Sequence, residues 1–245
     1  MSGLGLKSER CIKLYDNKED MYMPDNTLDR PVRESSVAHI ALALVLDVSA
    51  SMAGEKIQSL NNAVNNLIGQ MQSDSRLKDI VDLGIFVFGE KGKQPIYQGF
   101  KAMADCGQVL LNANDGSTYV VEALDRAVEM LRARCMIYDQ GGGAYKPWIV
   151  LVTDGDFHDG SSDLMRIGNR MKQRENDNKL QFFGLGVAGY NRQQLELFTG
   201  QPSHIIDVKA ANFTEFLSWV GRSFANISSK EVGAKVTLEP LVFTV

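Results

Sequence analysis

Short apolar stretches alternate with amphipathic ones along most of the chain, and this alternation restricts the possible folds more than any other feature. Four stretches are apolar almost throughout, as in strands that are covered on both faces: residues 38–46, 81–88, 148–152 and 180–187. Other stretches carry apolar residues at helical spacing: residues 55–72, 119–134, 163–175, 193–198 and 213–227. Strands that alternate with helices need crossover connections. The sequence therefore predicts an α/β fold with a doubly wound, mostly parallel central sheet flanked by helices.

The sheet is completed by two weaker strands, and the ends of the chain are expected to be less regular. Residues 95–100 are interpreted as one short antiparallel edge strand, and residues 205–208 as a further short strand. The length of 245 residues and the hydrophobic content of 44% suit one large domain. We predict a polar N-terminal arm over residues 1–36, the domain over residues 37–230, and a C-terminal extended segment over residues 231–245 that packs on the domain.

Composition excludes several classes of partner. The net charge of −4, from 26 basic and 30 acidic residues, argues against nucleic acid. The three cysteines are far apart, so neither a disulfide framework nor a zinc site is expected and a reducing compartment fits better. We find no signal-like apolar segment at the N-terminus and no run of about 18 apolar residues of the kind that spans a membrane. The expectation is a cytoplasmic protein with no membrane contact.

A carboxylate and two hydroxyls follow the first predicted strand at alternate positions. They belong to Asp47, Ser49 and Ser51. Side chains at alternate positions of an extended chain point the same way. One carboxylate and two hydroxyls on one side supply half of the oxygen shell that a hard cation such as Mg²⁺ requires. A plainer interpretation is that the aspartate caps the next helix while the serines bond to backbone.

Two further elements supply the remaining oxygens. Thr118 ends the stretch Asp-Gly-Ser-Thr just before a predicted helix, where it would either cap that helix or present its hydroxyl to a metal. Asp154 follows the central strand in a Thr-Asp-Gly turn. Ligands of such sheets bind beyond the carboxyl ends of the strands, where the strand order reverses. The candidate metal ligands are therefore Asp47, Ser49, Ser51, Thr118 and Asp154.

The loop after Asp154 contains further polar side chains. Asp156 and Asp159 are interpreted as solvated rim charges or helix caps, because their spacing does not match a calcium loop. His158 is interpreted as a surface histidine.

This combination of motifs resembles the von Willebrand factor A (VWA) domain with its metal-ion-dependent adhesion site (MIDAS), over roughly residues 38–226. The family has a Rossmann-like fold, an Asp-x-Ser-x-Ser loop, a distant threonine and a distant aspartate. The resemblance implies that Ser49 and Ser51 bind Mg²⁺, or Mn²⁺ or Ca²⁺, directly, and that Thr118 binds it directly or through water. Asp47 and Asp154 would supply charge, partly through bridging waters.

The same resemblance implies a protein partner whose glutamate or aspartate completes the metal shell. Three side chains near the site, Met52, Tyr119 and Phe157, are expected to be exposed and to supply specificity. Within the family, the chain looks like the bacterial tellurium-resistance, TerY-like proteins. The residues that carry this likeness are the Val48–Met52 loop and the helix over residues 213–220. It implies a bacterial stress response to tellurite or related chemicals, with a phosphatase or kinase of the same system as a possible partner.

Two alternatives belong to other classes. A metal-dependent hydrolase, such as a phosphatase, would also place an aspartate beside Mg²⁺ at a strand end. An aspartyl-phosphate mechanism would want a second acid two residues after Asp47, where Ser49 stands, and a serine hydrolase would want a G-x-S-x-G elbow, which we do not find. We therefore predict that the protein is not an enzyme. An extracellular adhesion domain is opposed by the unpaired cysteines and the missing signal segment.

Overall fold

The computed structural model describes residues 28–89, 92–209, 212–234 and 236–241. Six strands form one sheet in this part of the chain: β1 Ile40–Asp47, β2 Val81–Phe88, β3 Ile96–Ala102, β4 Trp148–Thr153, β5 Gln181–Val187 and β6 Ile205–Val208. The helices are α1 Glu55–Gln72, α2 Leu77–Ile80, α3 Val121–Asp139, α4 Ser161–Asn176, α5 Arg192–Leu195 and α6 Phe213–Ser228.

The sheet has the strand order β3-β2-β1-β4-β5-β6. Only β3 runs antiparallel, against β2, and the other neighbouring strands are parallel. The predicted fold class is thereby confirmed, including the antiparallel edge strand. Strand order reverses between β1 and β4, whose carboxyl ends lie side by side. This is the place where α/β sheets of this kind bind ligands.

Strand β1 shows why this sequence forms a sheet covered on both faces. All eight of its residues are buried. Its larger side chains, from Ile40 to Leu46 at every second position, pack in one apolar cluster with α1 and α6. Ala41, Ala43 and Val45 point the other way and pack with α3 and α4. Because both faces are covered, the apolar character is continuous rather than alternating.

Several helices differ from the sequence prediction in extent or number. Helix α3 begins at Val121 and continues to Asp139, five residues beyond the predicted end, because its last turn buries Tyr138. The predicted helix over 193–198 consists of α5 and a separate 3-10 turn. The one-turn helix α2 was not predicted, since four residues are too few to display a period.

Both termini of the described chain lie against the domain. Asp29 Oδ1 accepts a hydrogen bond from Phe100 N at 2.6 Å, and Arg30 N donates to Phe100 O at 2.8 Å. At the other end, Leu238 and Leu241 pack against the core. Residues 1–27 of the predicted arm and 242–245 of the predicted C-terminal segment lie outside the described residues. In the described part, no helix is long and apolar enough to cross a bilayer.

Candidate metal centre

Asp47 ends β1 beside β4 and is completely buried. Its Oδ1 accepts a hydrogen bond from Ser49 N at 2.9 Å, and its Oδ2 accepts one from Thr153 Oγ1 at 2.7 Å. Both donors are neutral. Burial raises the pKa of Asp47 against the effect of these hydrogen bonds, and the nearby Asp154 raises it further. The sheet edge thus holds a buried carboxylate whose hydrogen-bond donors carry no charge.

A series of side-chain oxygen atoms connects the surroundings of this buried carboxylate to the surface. Ser49 Oγ lies 3.1 Å from Ser51 Oγ, which donates to Asp154 Oδ1 at 2.6 Å. Ser49 and the carboxylate of Asp154 are buried, whereas Ser51 is exposed. The 3-10 turn over Ala50–Met52 keeps the two serines on one side of the loop. Solvent therefore has access to a cluster that is rich in oxygen.

Lys56, in the first turn of α1, forms an ion pair with Asp154 Oδ2. Lys56 was not among the site residues predicted from the sequence. One signal was available, because a cation in the first turn of a helix opposes the helix dipole unless a partner stabilises it. Lys56 supplies one positive charge against the two buried carboxylates of Asp47 and Asp154.

The loop that contains Thr118 is held against the β1 loop by backbone contacts. Asn114 N donates to Val48 O at 2.8 Å, and Ala50 N donates to Gly116 O at 3.3 Å. A Cβ atom at position 116 would lie 1.8 Å from Gly89 O, so only glycine allows this loop to approach the residue after β2 this closely. Gly116 belongs to the Asp-Gly-Ser-Thr stretch, but this role was not predicted from the sequence.

Thr118 is buried beside the turn that follows Asp154. A Cβ atom at Gly155 would lie 3.3 Å from Thr118 Oγ1, which measures how near the hydroxyl is to this turn. The cap of α3 comes from Asp159 instead, whose carboxylate accepts from Val120 N at 2.7 Å. The alternative in which Thr118 caps the helix is therefore wrong, and one of the two interpretations of Asp159 is correct.

Two of the three side chains expected to surround the site are not exposed. Met52 is fully inaccessible, and only 5% of Phe157 is accessible. Phe157 packs edge-on against Phe88 and contacts Phe198. The expectation was wrong because apolar side chains of these loops fold inward to extend the core. Tyr119 alone of the three is partly exposed, with its ring 6.0 Å from that of His158.

The donor set fits a hard divalent cation. It combines three hydroxyls with the carboxylates of Asp47 and Asp154, and oxygen ligands of this kind suit Mg²⁺, Mn²⁺ or Ca²⁺. Two buried carboxylates with one ammonium leave an excess of negative charge, which is costly to bury without a further cation. Nowhere in the described ranges do three or more His, Cys, Asp or Glu side chains cluster for a metal, so a site here depends on the hydroxyls.

Solved structures share this fold at low sequence identity. The pilus adhesin SpaC from Lactobacillus rhamnosus GG has a TM-score of 0.63 and 17% identity, covering 80% of this chain and 32% of the adhesin. The SpRpn10 VWA domain has a TM-score of 0.53 and 14% identity, covering 80% of this chain and 100% of that domain. Proximal thread matrix protein 1 from the mussel byssus, with a zinc-occupied MIDAS motif, has a TM-score of 0.50 and 14% identity. The match covers 77% of this chain and 48% of the thread protein.

These structures establish the fold alone. The chain spans about a third of the adhesin and about half of the thread protein. No curated protein matches it in sequence. The model of the von Willebrand factor type A domain matches residues 41–219, which is most of the chain and contains every element that builds the oxygen cluster. The chain therefore belongs to the von Willebrand factor type A domain family.

Proposed function

We propose that this protein is a divalent-metal-dependent protein-interaction module whose metal is held by Asp47, Ser49, Ser51, Thr118 and Asp154. The observation that carries the proposal is the hydrogen-bonded series of Ser49, Ser51 and Asp154, which opens to solvent beside the buried Asp47. Mg²⁺ is the favoured ion, with Mn²⁺ or Ca²⁺ as alternatives. When bound, it supplies Lewis acidity towards an incoming carboxylate.

The protein groups have distinct roles in this proposal. The hydroxyls of Ser49 and Ser51 would hold the ion, and Thr118 would contribute a third hydroxyl. Asp47 acts mainly through its charge, because both of its oxygens already accept hydrogen bonds from the chain. The buried carboxylate of Asp154, which accepts from the exposed Ser51 and pairs with Lys56, would supply the second negative charge.

The partner we propose is a protein that presents a glutamate or aspartate. Neutral hydroxyls make up most of the donor set, so the ion keeps an unsatisfied preference for anionic oxygen. Domains of this family are metal-dependent and often mediate protein interactions or adhesion, which supports the proposal. The zinc-occupied MIDAS of the mussel thread protein supports the choice of a divalent ion without identifying which one.

A non-enzymatic role is part of the proposal. His158 is the histidine nearest in sequence to the cluster, and its Nδ1 accepts a hydrogen bond from Thr118 N rather than from a serine hydroxyl. No serine at the site has the histidine that would activate it as a nucleophile. The TerY-like sequence features favour a cytoplasmic bacterial stress response to tellurite or related chemicals, with a phosphatase or kinase as partner.

Calorimetric titration with Mg²⁺ and Mn²⁺ tests the metal site. We expect saturable binding to the wild-type protein and none to Asp47→Asn, because the substitution removes a buried negative charge at the base of the cluster. Asp163→Asn is the matched control, since this carboxylate is exposed on the first turn of α4 and lies outside the cluster. Equal binding to wild type and Asp47→Asn would refute the site.

Capture of partners in Mg²⁺ and in chelator tests the interaction. We expect acidic-segment partners to be retained only with the metal and lost with Asp47→Asn. Partners that are retained equally in chelator would show that the metal does not bridge the two proteins.

A further inference from the structure

A cavity lies at the opposite end of the sheet from the candidate metal centre. It has a volume of about 600 Å³ and opens where β4 and β5 begin. Its walls come from the segment before β4, the turn between α4 and β5, and the chain after α6. Its size falls within the range of about 300–1,000 Å³ that is usual for small-molecule sites. None of the residues proposed to hold the metal lines it.

The cavity is positively charged although the whole chain is not. Among the described lining residues, three are cationic, Lys146, Arg174 and Lys179, and one is anionic, Glu231. The net charge of the chain is −4, so this concentration of positive charge is local. Two carboxylates outside the lining act against it. Glu175 is bonded to Thr199, Gly200 and His204, and Asp177 lies 4.0 Å from Lys179.

Lys146 is a partly buried cation in the cavity wall. It precedes Pro147 and Trp148, which also line the cavity. Burial lowers its pKa below the usual value for a lysine, against the opposing influence of Glu175. A half-buried ammonium is poorly hydrated and gains from an anionic ligand.

The turn between α4 and β5 places the other two cations. Asn178 has a left-handed backbone with φ of 59°, and Lys179 N donates to Arg174 O at 2.8 Å. This closed turn brings Arg174 and Lys179 to the same opening. A guanidinium and an ammonium at one opening suit a carboxylate or a phosphate ester.

The remaining wall is apolar and is anchored to the domain. Trp148 lies within an aromatic cluster, with its ring centroid 5.0 Å from that of Phe224 and 5.9 Å from that of Trp219. Val236 and Leu238, after α6, complete the apolar side. Tyr145 Oη donates to Lys230 O at 2.8 Å and holds this segment in place. The cavity therefore combines a cationic opening with an apolar interior.

We propose that this cavity binds a small organic anion that has an apolar body and one carboxylate or phosphate group. The acid group lies among Lys146, Arg174 and Lys179, and the apolar body lies against Trp148 and the segment after α6. The concave shape and the volume favour a small molecule over a protein partner. The site is independent of the metal centre, from which the length of the sheet separates it.

Intrinsic tryptophan fluorescence provides a direct test, because both tryptophans of the chain lie at or next to this cavity. The probes are decanoate, decyl phosphate and neutral decanol, each titrated in EDTA so that no metal-bound carboxylate contributes. We expect saturable binding of an anionic probe, with decanol about tenfold weaker because it lacks the charged group. Decanoate and decyl phosphate together show which acid is preferred.

Three variants make the test specific. Lys146→Met should weaken binding of the anionic probe about tenfold, whereas Lys172→Met, on α4 but outside the cavity, should leave it unchanged. Ala234→Trp changes an exposed lining residue and should block both anion and alcohol without altering charge. The proposal would be overturned by any of three outcomes. These are equal affinity for decanoate and decanol, equal weakening of binding by Lys146→Met and Lys172→Met, and undiminished binding of the probes to Ala234→Trp. Failure of the metal titrations leaves these measurements unaffected.

Discussion

Two buried aspartates on neighbouring strands differ in how their charge is neutralised. Asp47 ends β1, Asp82 lies near the start of β2, and both are completely inaccessible. Asp82 Oδ2 accepts from Arg134 Nε at 2.8 Å and from Tyr138 Oη at 2.6 Å, and the guanidinium approaches to 2.6 Å. The donors to Asp47 in the described part of the chain are all neutral: the backbone N–H and side chain of Ser49 and the hydroxyl of Thr153.

The difference separates a carboxylate that is neutralised within the chain from one that we propose to hold a metal. Arg134 neutralises Asp82 within the chain and also donates to Arg30 O at 2.6 Å, which ties the segment before β1 to the domain. Within the described ranges Asp47 has no comparable cationic partner, so a cation from solution would be stabilised most at its end of the sheet. Burial alone therefore does not distinguish the proposed metal site, whereas burial without a cation of the chain supports it.

Breaking the internal pair should have the largest effect. Arg134→Met leaves the Asp82 carboxylate buried without its cation and should lower the free energy of unfolding by about 3–5 kcal/mol. Urea denaturation measures the change. Arg170→Met is the control, because its ion pair with Asp125 is partly exposed and should contribute less than about 1 kcal/mol. A loss as small as that of the control would show that Asp82 is neutralised by other means.

Replacing Lys56, which pairs with Asp154, should have a smaller effect than breaking the pair of Arg134 and Asp82. Lys56→Met frees Asp154 Oδ2 and removes a positive charge that repels an incoming ion, so Mg²⁺ affinity should rise about tenfold. Without metal, the variant should be less stable than wild type, because two buried carboxylates then lack a counter-ion. Calorimetry and thermal unfolding in EDTA measure the two effects, with exposed Lys209→Met as control. Unchanged or weaker Mg²⁺ binding would contradict this role for Lys56.

A pH-dependent effect concerns Asp29, which attaches the segment before β1 to strand β3. Burial raises its pKa to about 6, against the backbone hydrogen bond from Phe100 and the charge of Arg134. The folded protein therefore holds this proton more tightly than the unfolded chain does. The resulting stabilisation is complete below the unfolded pKa of 3.8 and is lost as pH rises to about 6.

Asp29→Asn removes this titration. The melting temperature of the variant, relative to that of wild type, should rise between about pH 4 and 6, and the difference should stay constant above about pH 6. Thermal unfolding of both proteins across this range measures the difference. A difference that stays constant with pH would mean that the carboxyl titrates normally in the folded protein.

Much of the fold could be predicted from the sequence because it depends on local periodicity. Strand β2 has its predicted bounds, as does helix α1, since continuous apolar runs and a 3.6-residue period directly reflect coverage by neighbouring layers. The end of α3 could not be predicted, because its last turn is stabilised by the contact between Tyr138 and Asp82, which are far apart in sequence.

The candidate site divides in the same way. The sequence alone predicted that Asp47 and Asp154 lie at carboxyl ends of strands in a mostly parallel sheet, because continuous apolar runs precede both residues. The tertiary structure showed that these two strands are neighbours. Only the tertiary structure decided that Lys56 pairs with Asp154, that Asp159 caps α3 and that Met52 and Phe157 face the core. These features depend on which loops meet in space and on which charges neutralise one another, and neither is encoded in the period of the chain.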